Sequence, residues 1–382
     1  METMNSWFGL KDAHRDFTIE TDEDSHLFFA RHELDETLQS MLRRSFRTGK
    51  PPKLVLYGDW GVGKTHTMRH IEYGIETTND FQAKVVFVEL PDITSKSTFQ
   101  VAHAALLDAL GFECAKNWIV QFVTKHPSDA RNLIQEATRS GDIATAFLHL
   151  VGLGEGSRIA ADWLRGVRLS APDSRLAGLP PALTQSSQFV RVLQMFGRLC
   201  REVEQRLLVF MLDEATMLDA VSNQDAVNHW QNALKLIADP QTKEFGFIIS
   251  GSWIDPDDMA IPLQNQQVVS RFGEEHYILL TNLGEGEAKE FITALITEWI
   301  DPTKRERLMQ AHGAEVDDES ISDETFPFTE KALDITVQYA CRRGGYTVPR
   351  DIQNTLDDLF NRAIDDDRHI LSSSYIGSLV NA

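Results

Sequence analysis

A glycine-rich loop between an apolar strand and a helical pattern is the feature that most constrains how this chain can fold. The loop and the residue after it comprise Gly58, Asp59, Trp60, Gly61, Val62, Gly63, Lys64, Thr65 and His66. Glycines let successive backbone N–H groups surround a polyphosphate, Lys64 brings a positive charge to its outer oxygens, and Thr65 offers a hydroxyl to Mg²⁺. A turn that only joined a strand to a helix would leave Lys64 and Thr65 unexplained. The sequence therefore predicts an α/β fold with a site for a nucleoside triphosphate.

Composition limits the partners of the chain. Its 382 residues are 42% hydrophobic, which suffices for one large domain or two modest ones. The formal net charge of −20 argues against a surface that binds nucleic acid over its whole area, since phosphate neutralisation needs a continuous basic face. A local basic patch, or equally a solvated helix end, is predicted at Arg43, Arg44, Arg47, Lys50 and Lys53.

Neither a cysteine-based metal site nor a membrane span is expected. Cys114, Cys200 and Cys341 lie far apart and none has a CxxC partner. The longest purely aliphatic or aromatic run covers only residues 207–212, far short of a spanning helix. We therefore expect a cytoplasmic protein without membrane contact.

Hydrophobic patterns predict strands that alternate with helices. Strands are expected over residues 54–57, 84–90, 207–212, 245–249 and 277–280, each bounded by turn or helix signals. Such alternation is typical of a three-layer α/β/α fold with a parallel five-stranded sheet. The predicted domains are a first core part at 1–111, a helical insertion at 112–188, a second core part at 189–282 and a helical lid at 283–382.

Two carboxylates follow the strand at 207–212. Asp213 and Glu214 stand where a P-loop protein places its second metal contact and its water contact. Asp213 would hold Mg²⁺ together with Thr65, and Glu214 would orient and polarise the attacking water. A solubilising turn would also place two carboxylates at a strand end, but the phosphate loop favours the catalytic interpretation.

These motifs resemble those of AAA+ ATPases, most of all the origin-recognition and initiator-loading branch. Residues 28–33 resemble the box that precedes the phosphate loop and helps frame the adenine, with Arg31 as its arginine. The resemblance implies that Ser250 or Ser252, at the end of the fourth strand, senses the γ-phosphate. Arg271, in the segment 268–272, matches the arginine finger that reaches the neighbouring subunit's γ-phosphate. Arg350 matches the lid arginine of the G-x-P-R motif, with two residues more before the proline than the family pattern has. The resemblance implies that Arg350 contacts the γ-phosphate bound in its own subunit.

Two further departures concern the insertion and the end of the chain. The stretch between Lys64 and Asp213 is longer than in that branch, and the excess is the predicted insertion. Its segment 161–166 resembles a W-L-R-G motif of ATP-binding proteins from bacterial BREX-type antiphage systems. We also expect no winged-helix DNA-binding domain after the lid.

The function that the resemblance implies is Mg²⁺-dependent ATP hydrolysis by an oligomeric switch. Subunits would assemble as a ring or a helical filament and act on double-stranded DNA or a DNA-bound partner, in antiphage defence or transposition. The alternative is a signalling or remodelling NTPase that docks a protein effector through its insertion, which the acidic charge favours. A nucleotide-dependent scaffold without hydrolysis is the third hypothesis, and the intact Lys64, Asp213 and Glu214 argue against it.

Overall fold

The chain divides into two compact units. The computed structural model describes residues 4–11, 14, 16–77, 82–152, 154–313, 316, 319–342 and 344–380. The loop unit comprises Met1–Thr37, Asp59–His70 and Leu280–Ala382, and the sheet unit comprises Leu38–Gly58 and Ile71–Leu279. Each unit has its own hydrophobic core. The predicted domain limits stay predictions, and the grouping of the first residues with the last hundred is a finding of the structure.

Five strands form the predicted parallel sheet, in the order β2-β3-β4-β1-β5. Their bounds are Lys53–Gly58 (β1), Ala83–Glu89 (β2), Leu207–Asp213 (β3), Phe245–Gly251 (β4) and Tyr277–Leu280 (β5). Every residue of β3 and β4 is buried, as strands covered by helices on both faces require. The α/β fold with a parallel sheet and flanking helices is thereby confirmed.

The register brings three carboxyl strand ends together. Leu212 of β3 pairs with Ile249 of β4, and Leu56 of β1 pairs with Ser250 of β4. In parallel α/β sheets this edge is where ligands bind. Gly58 ends β1 here and is also the first residue of the phosphate loop.

Helices outside the insertion precede and separate these strands. They are α2 (His32–Thr48), α3 (Lys64–Thr77), α4 (Gln100–Leu110), α10 (Ser186–Val203), α11 (Gln224–Ala238), α12 (Ile261–Gln264) and α13 (Gln266–Phe272). Short 3₁₀ helices cover Ala215–Ala220, Pro256–Asp258 and Glu274–His276. Gly111 ends α4 in the left-handed region that helix ends favour.

The described residues of the predicted insertion form five helices joined by turns and loops, with no strand among them. Its helices are α5 (Phe112–Lys125), α6 (Ala130–Thr138), α7 (Gly141–Val151), α8 (Glu155–Leu164) and α9 (Ala171–Ala177). The hydroxyls of Ser140 and Ser170 accept backbone hydrogen bonds and cap α7 and α9. Helices α5 and α6 pack on α10, so the insertion shares the core of the sheet unit.

The loop unit is built mainly from the end of the chain. It contains α1 (Met4–Phe8), α14 (Glu285–Trp299), α15 (Pro302–His312), α16 (Glu330–Ala340), α17 (Pro349–Asp365) and α18 (Ser373–Val380). Strands β6 (Leu283–Gly284) and β7 (Tyr346–Thr347) form an antiparallel pair. Among the helices of the described residues, none has the length and apolar character that crossing a membrane demands.

Candidate functional site

The phosphate loop has the backbone that its glycines predict. Gly61 and Gly63 have φ angles of +83° and +94°, in the left-handed region that favours glycine. Helix α3 then begins at Lys64, and its first turn is held by Thr67, whose N–H donates to the Gly63 carbonyl at 2.8 Å. The loop therefore leads into a helix N-terminus, where free N–H groups and the helix dipole favour an anion.

Lys64 lies over the loop and is almost fully buried. Its Nζ donates to the Asp59 carbonyl at 2.8 Å. The ammonium group is thus held at the loop by the loop's own backbone. A buried ammonium in this position is the charge that a polyphosphate would meet.

Arg31 joins the predicted adenine segment to the phosphate loop. Its Nη2 donates to the carbonyls of Val62 at 2.8 Å and Thr281 at 2.9 Å. Burial lowers the pKa of its guanidinium from the usual value. Arg31 therefore ties this segment to the loop, and its adenine contact stays a prediction.

Two histidines of α3 hold the same segment. The Nε2 of His66 donates to the Leu27 carbonyl at 2.6 Å, and the Nδ1 of His70 donates to the Ser25 carbonyl at 2.9 Å. The Phe28 ring stacks on His70 with 4.6 Å between centroids. Burial lowers the pKa of His66. The loop motif predicts His66 but not His70, although spacing by four residues places both on one helix face.

The lid arginine lies against the loop tip. The guanidinium carbon of Arg350, in the first turn of α17, is 4.0 Å from the ring centroid of Trp60. Both residues belong to the loop unit. The sequence predicts Arg350 and Trp60 as separate site residues but does not predict that their side chains are in contact.

In the sheet unit, Asp213 and Ser250 meet at the ends of β3 and β4. The buried Ser250 hydroxyl donates a hydrogen bond to Oδ1 of Asp213. The backbone N–H of Glu214 donates to the same oxygen at 2.9 Å. Oδ2 of Asp213 is buried and has no hydrogen-bond partner among the described residues. Asp213 is thereby oriented with one oxygen left to accept a ligand.

Glu214 and Ser252 lie beside this pair. Glu214 is exposed and has a φ of +54°, a left-handed conformation that side chains rarely adopt and that recurs at functional sites. The backbone N–H of Ser252 donates to the Thr216 hydroxyl at 2.6 Å. Of the two predicted sensor serines, Ser250 is the one bonded to Asp213.

Arg271 is held by its own subunit. It lies in the last turn of α13, and its Nη1 donates to the Lys235 carbonyl at 2.9 Å, in the last turn of α11. The carboxylate of Asp239 is 3.8 Å from the same nitrogen. Arg271 remains partly exposed, in a polar pocket of about 540 Å³ that Asn228 and His229 also line.

The W-L-R-G segment has a packing role. Trp163 is fully buried, the Leu164 carbonyl accepts from Nε2 of His103 at 2.7 Å, and Arg165 forms a 2.6 Å ion pair with Asp108. A Cβ on Gly166 would lie 2.9 Å from Gln100. These four residues fasten the insertion to α4, which explains their identity without a ligand.

Comparisons with solved structures found weak similarities. Cdc6p from Pyrobaculum aerophilum is 11% identical with a TM-score of 0.47, covering 89% of this chain and 64% of that chain. The Aeropyrum pernix Orc1 protein in complex with DNA is 13% identical with a TM-score of 0.47, covering 92% and 65%. The Drosophila ORC bound to DNA is 10% identical with a TM-score of 0.48, covering 97% and 67%.

This chain spans just under two thirds of the length of the first two of these structures. With TM-scores below 0.5, the similarities assign neither an activity nor a partner to it. No protein-family model and no curated protein matches the chain.

Proposed function

We propose that this chain binds ATP and hydrolyses it with Mg²⁺, as a subunit of an oligomeric switch that acts on DNA. The observation that carries the proposal is the phosphate loop, because the buried Lys64 and two left-handed glycines precede a helix N-terminus. Arg31 and Arg350 contact the same loop and add two further cations within the loop unit. Three cations around one glycine loop fit the charge of a polyphosphate.

The end of β3 fits the metal contact of such a site. The buried Oδ2 of Asp213 lacks a partner among the described residues, and carboxylate and hydroxyl oxygens are the ligands that Mg²⁺ prefers. Asp213 would provide one oxygen ligand, directly or through the water shell of the ion, and Thr65 stays the second ligand that the sequence predicts. Bound there, Mg²⁺ would neutralise charge on the phosphate oxygens.

Water activation is assigned to Glu214. Its exposed carboxylate follows Asp213 directly, and its left-handed backbone departs from the strand direction. A carboxylate in that position orients the attacking water and accepts its proton. The Ser250 hydroxyl donates to Asp213 and would orient the Asp213 carboxylate. Ser250 would also sense the γ-phosphate.

Assembly would complete the site through Arg271 of a neighbouring subunit. A guanidinium that stabilises developing charge in trans makes hydrolysis depend on oligomerisation. In its own subunit Arg271 contacts Lys235 and Asp239, so the proposal requires release of these contacts on assembly. Both a closed ring and a helical filament satisfy the requirement.

The DNA partner is favoured by a basic surface on α2. No Asp or Glu occurs between Glu36 and Asp59, while this stretch holds Arg43, Arg44, Arg47 and Lys50. In a chain of net charge −20 this is the surface that suits a phosphate backbone. A protein partner is the second candidate, favoured by an apolar cavity of about 330 Å³ that the insertion forms with α4 and α10, bounded by Leu110, Leu150 and Phe196. A role in antiphage defence or transposition rests on the sequence resemblance alone.

The test compares ATP binding and hydrolysis in three variants. Lys64→Ala should weaken ATP binding at least about tenfold, because it removes the loop's cation. Glu214→Gln should bind ATP normally and lower kcat by about 10²- to 10⁴-fold, the contribution of a general base. Lys125→Ala, an exposed lysine of the insertion, is the matched control and should leave both unchanged. Normal turnover by Glu214→Gln would overturn the assignment of Glu214 as the general base. Unchanged ATP affinity in Lys64→Ala would overturn the phosphate loop as the ATP site.

A further inference from the structure

Trp60 stands at the tip of the phosphate loop with most of its indole in solvent. Its side chain is 65% exposed. Exposing so large an aromatic surface needs a reason, because burying a tryptophan ordinarily stabilises a fold. No role in strand or helix formation calls for an indole there, since the neighbouring glycines set the backbone of the loop.

The start of α17 is built to approach this tip closely. A Cβ on Gly61 would lie 3.1 Å from Cγ2 of Val348 and 3.5 Å from the Cβ of Arg350. Only glycine combines this contact with the φ of +83°. Residues 348–350 therefore pack directly on the loop tip, within the loop unit.

The indole lies against the guanidinium of Arg350. The guanidinium carbon is 4.0 Å from the ring centroid, well within the range of a cation–π interaction. Stacking occupies the face of a guanidinium and leaves its five in-plane N–H donors for acceptors. Arg350 makes no hydrogen bond or ion pair with another residue that the structure describes. The cation is held in place while its donors remain available.

We propose that Trp60 is a positioning residue that orients Arg350 toward the terminal phosphate of ATP. The inference rests on the proposed function, because it needs a nucleotide in the loop. A side chain that pre-orients a donor reduces the entropy lost when the donor binds its anion. Since ADP lacks the γ-phosphate, Trp60 contributes to the preference for ATP over ADP and not to nucleotide binding in general.

The experiment is a double-mutant cycle on nucleotide affinity. Equilibrium binding of ATP and ADP is measured for the wild type, Trp60→Ala, Arg350→Ala and the double variant, all with Mg²⁺. Trp60→Ala should lower the ratio of ATP to ADP affinity by roughly 3- to 30-fold, the range of a cation–π interaction. The double variant should match Arg350→Ala alone, because Trp60 acts only through that arginine.

Two controls separate positioning from a structural effect. Trp60→Phe keeps an aromatic face and should recover most of the ratio. Tyr339→Ala removes a similar pair, in which the guanidinium carbon of Arg342 lies 4.2 Å from the ring centroid of Tyr339, and should leave the ratio unchanged.

Three results would overturn the inference. Trp60→Ala could lower ATP and ADP affinity equally, or it could leave both affinities unchanged. In the double variant, the fold-changes of the two single variants in the ratio of ATP to ADP affinity could multiply, as they do for independent residues. Each leaves the proposed function intact if Lys64→Ala still weakens ATP binding. Failure of the wild type to bind either nucleotide would instead overturn the proposed function itself.

Discussion

At the scale of single residues, His103 is a titratable side chain whose pKa is changed by burial. It is fully buried in α4, and its Nε2 donates to the Leu164 carbonyl of the insertion at 2.7 Å. The Phe189 ring meets it edge-on with 4.9 Å between centroids. Burial lowers its pKa to about 4, because the imidazolium would lose its hydration. Burial therefore favours the neutral form of His103 where it joins the insertion to the core.

We predict that His103 makes the sheet unit less stable in mild acid. An unfolded histidine has a pKa of about 6.5, so on acidification the unfolded chain binds this proton first. The contribution of His103 to the free energy of unfolding is therefore complete above about pH 6.5 and declines as the pH falls towards 4. The total decline is about 3 kcal/mol at most.

Urea unfolding between pH 5 and pH 8 measures this effect. His103→Gln keeps a donor for the Leu164 carbonyl but does not titrate, so its free energy of unfolding should depend less on pH. Gln121→Ala, at an exposed residue of the sheet unit that does not titrate, is the control and should retain the wild-type dependence. Equal pH slopes in the wild type and His103→Gln would contradict the prediction.

The residues that the sequence predicted share one property. They belong to local patterns, namely the loop from Gly58 to Thr65 and the pair Asp213 and Glu214. The chemistry of such patterns can be predicted from neighbouring positions in the sequence. Trp60 and Arg350 are far apart in the chain, and only tertiary packing brings them together. Asp239 was missed for the same reason, because its contact with Arg271 joins two different helix ends.

At the scale of elements, α2 carries the basic surface. Arg43, Arg44, Arg47 and Lys50 are exposed, and their side chains have no ion pair with any residue that the structure describes. Lys53, in contrast, donates to the carbonyls of Asp239 and Thr242 and is structural. The basic surface therefore comprises four residues and not the five that the sequence suggested.

We predict that replacing these four residues with glutamine weakens binding to duplex DNA. Each lost phosphate contact should also reduce the slope of log affinity against log salt by about 0.9, since fewer counterions are released. Titration of a labelled duplex across a salt series, with a slowly hydrolysed ATP analogue, measures both quantities.

The matched control removes the same charge from the insertion. It replaces the exposed residues Lys125, Arg139, Arg168 and Arg175 with glutamine. If the two variants lose affinity equally, net charge and not the α2 surface governs binding. If neither the wild type nor a variant binds duplex, the protein partner becomes the leading candidate.

Strands and helices were the most predictable elements. Contiguous apolar runs such as residues 207–212 have few alternatives to a buried strand. The W-L-R-G segment shows the opposite case, since Trp163 and Arg165 would satisfy either a ligand motif or a packing role. Only their observed contacts distinguish the two.

At the scale of the whole molecule, the division into units follows long-range contacts. The Trp7 indole N–H donates to the Arg368 carbonyl at 2.8 Å, and Leu10 forms an antiparallel bridge with Ile300. Such pairings depend on residues near opposite ends of the chain and leave no local pattern in the sequence. The sheet was predictable because its strands are individually recognisable, whereas the partners of α1 were not.

Subunit mixing tests whether Arg271 acts on a neighbouring subunit. Lys64→Ala binds ATP weakly but retains Arg271, and Arg271→Ala retains its loop but lacks the guanidinium, so each variant alone should hydrolyse ATP slowly. In an equal mixture, an Arg271→Ala site with a Lys64→Ala neighbour regains the missing cation. Random assembly should then restore roughly a quarter of the wild-type rate per subunit.

The control mixture replaces Lys64→Ala with a double variant that carries both Lys64→Ala and Arg271→Ala. It lacks the guanidinium in every subunit and should show no recovery. An inactive mixture would assign Arg271 to its own subunit's site, and full activity of Arg271→Ala alone would show that its contacts with Lys235 and Asp239 are purely structural.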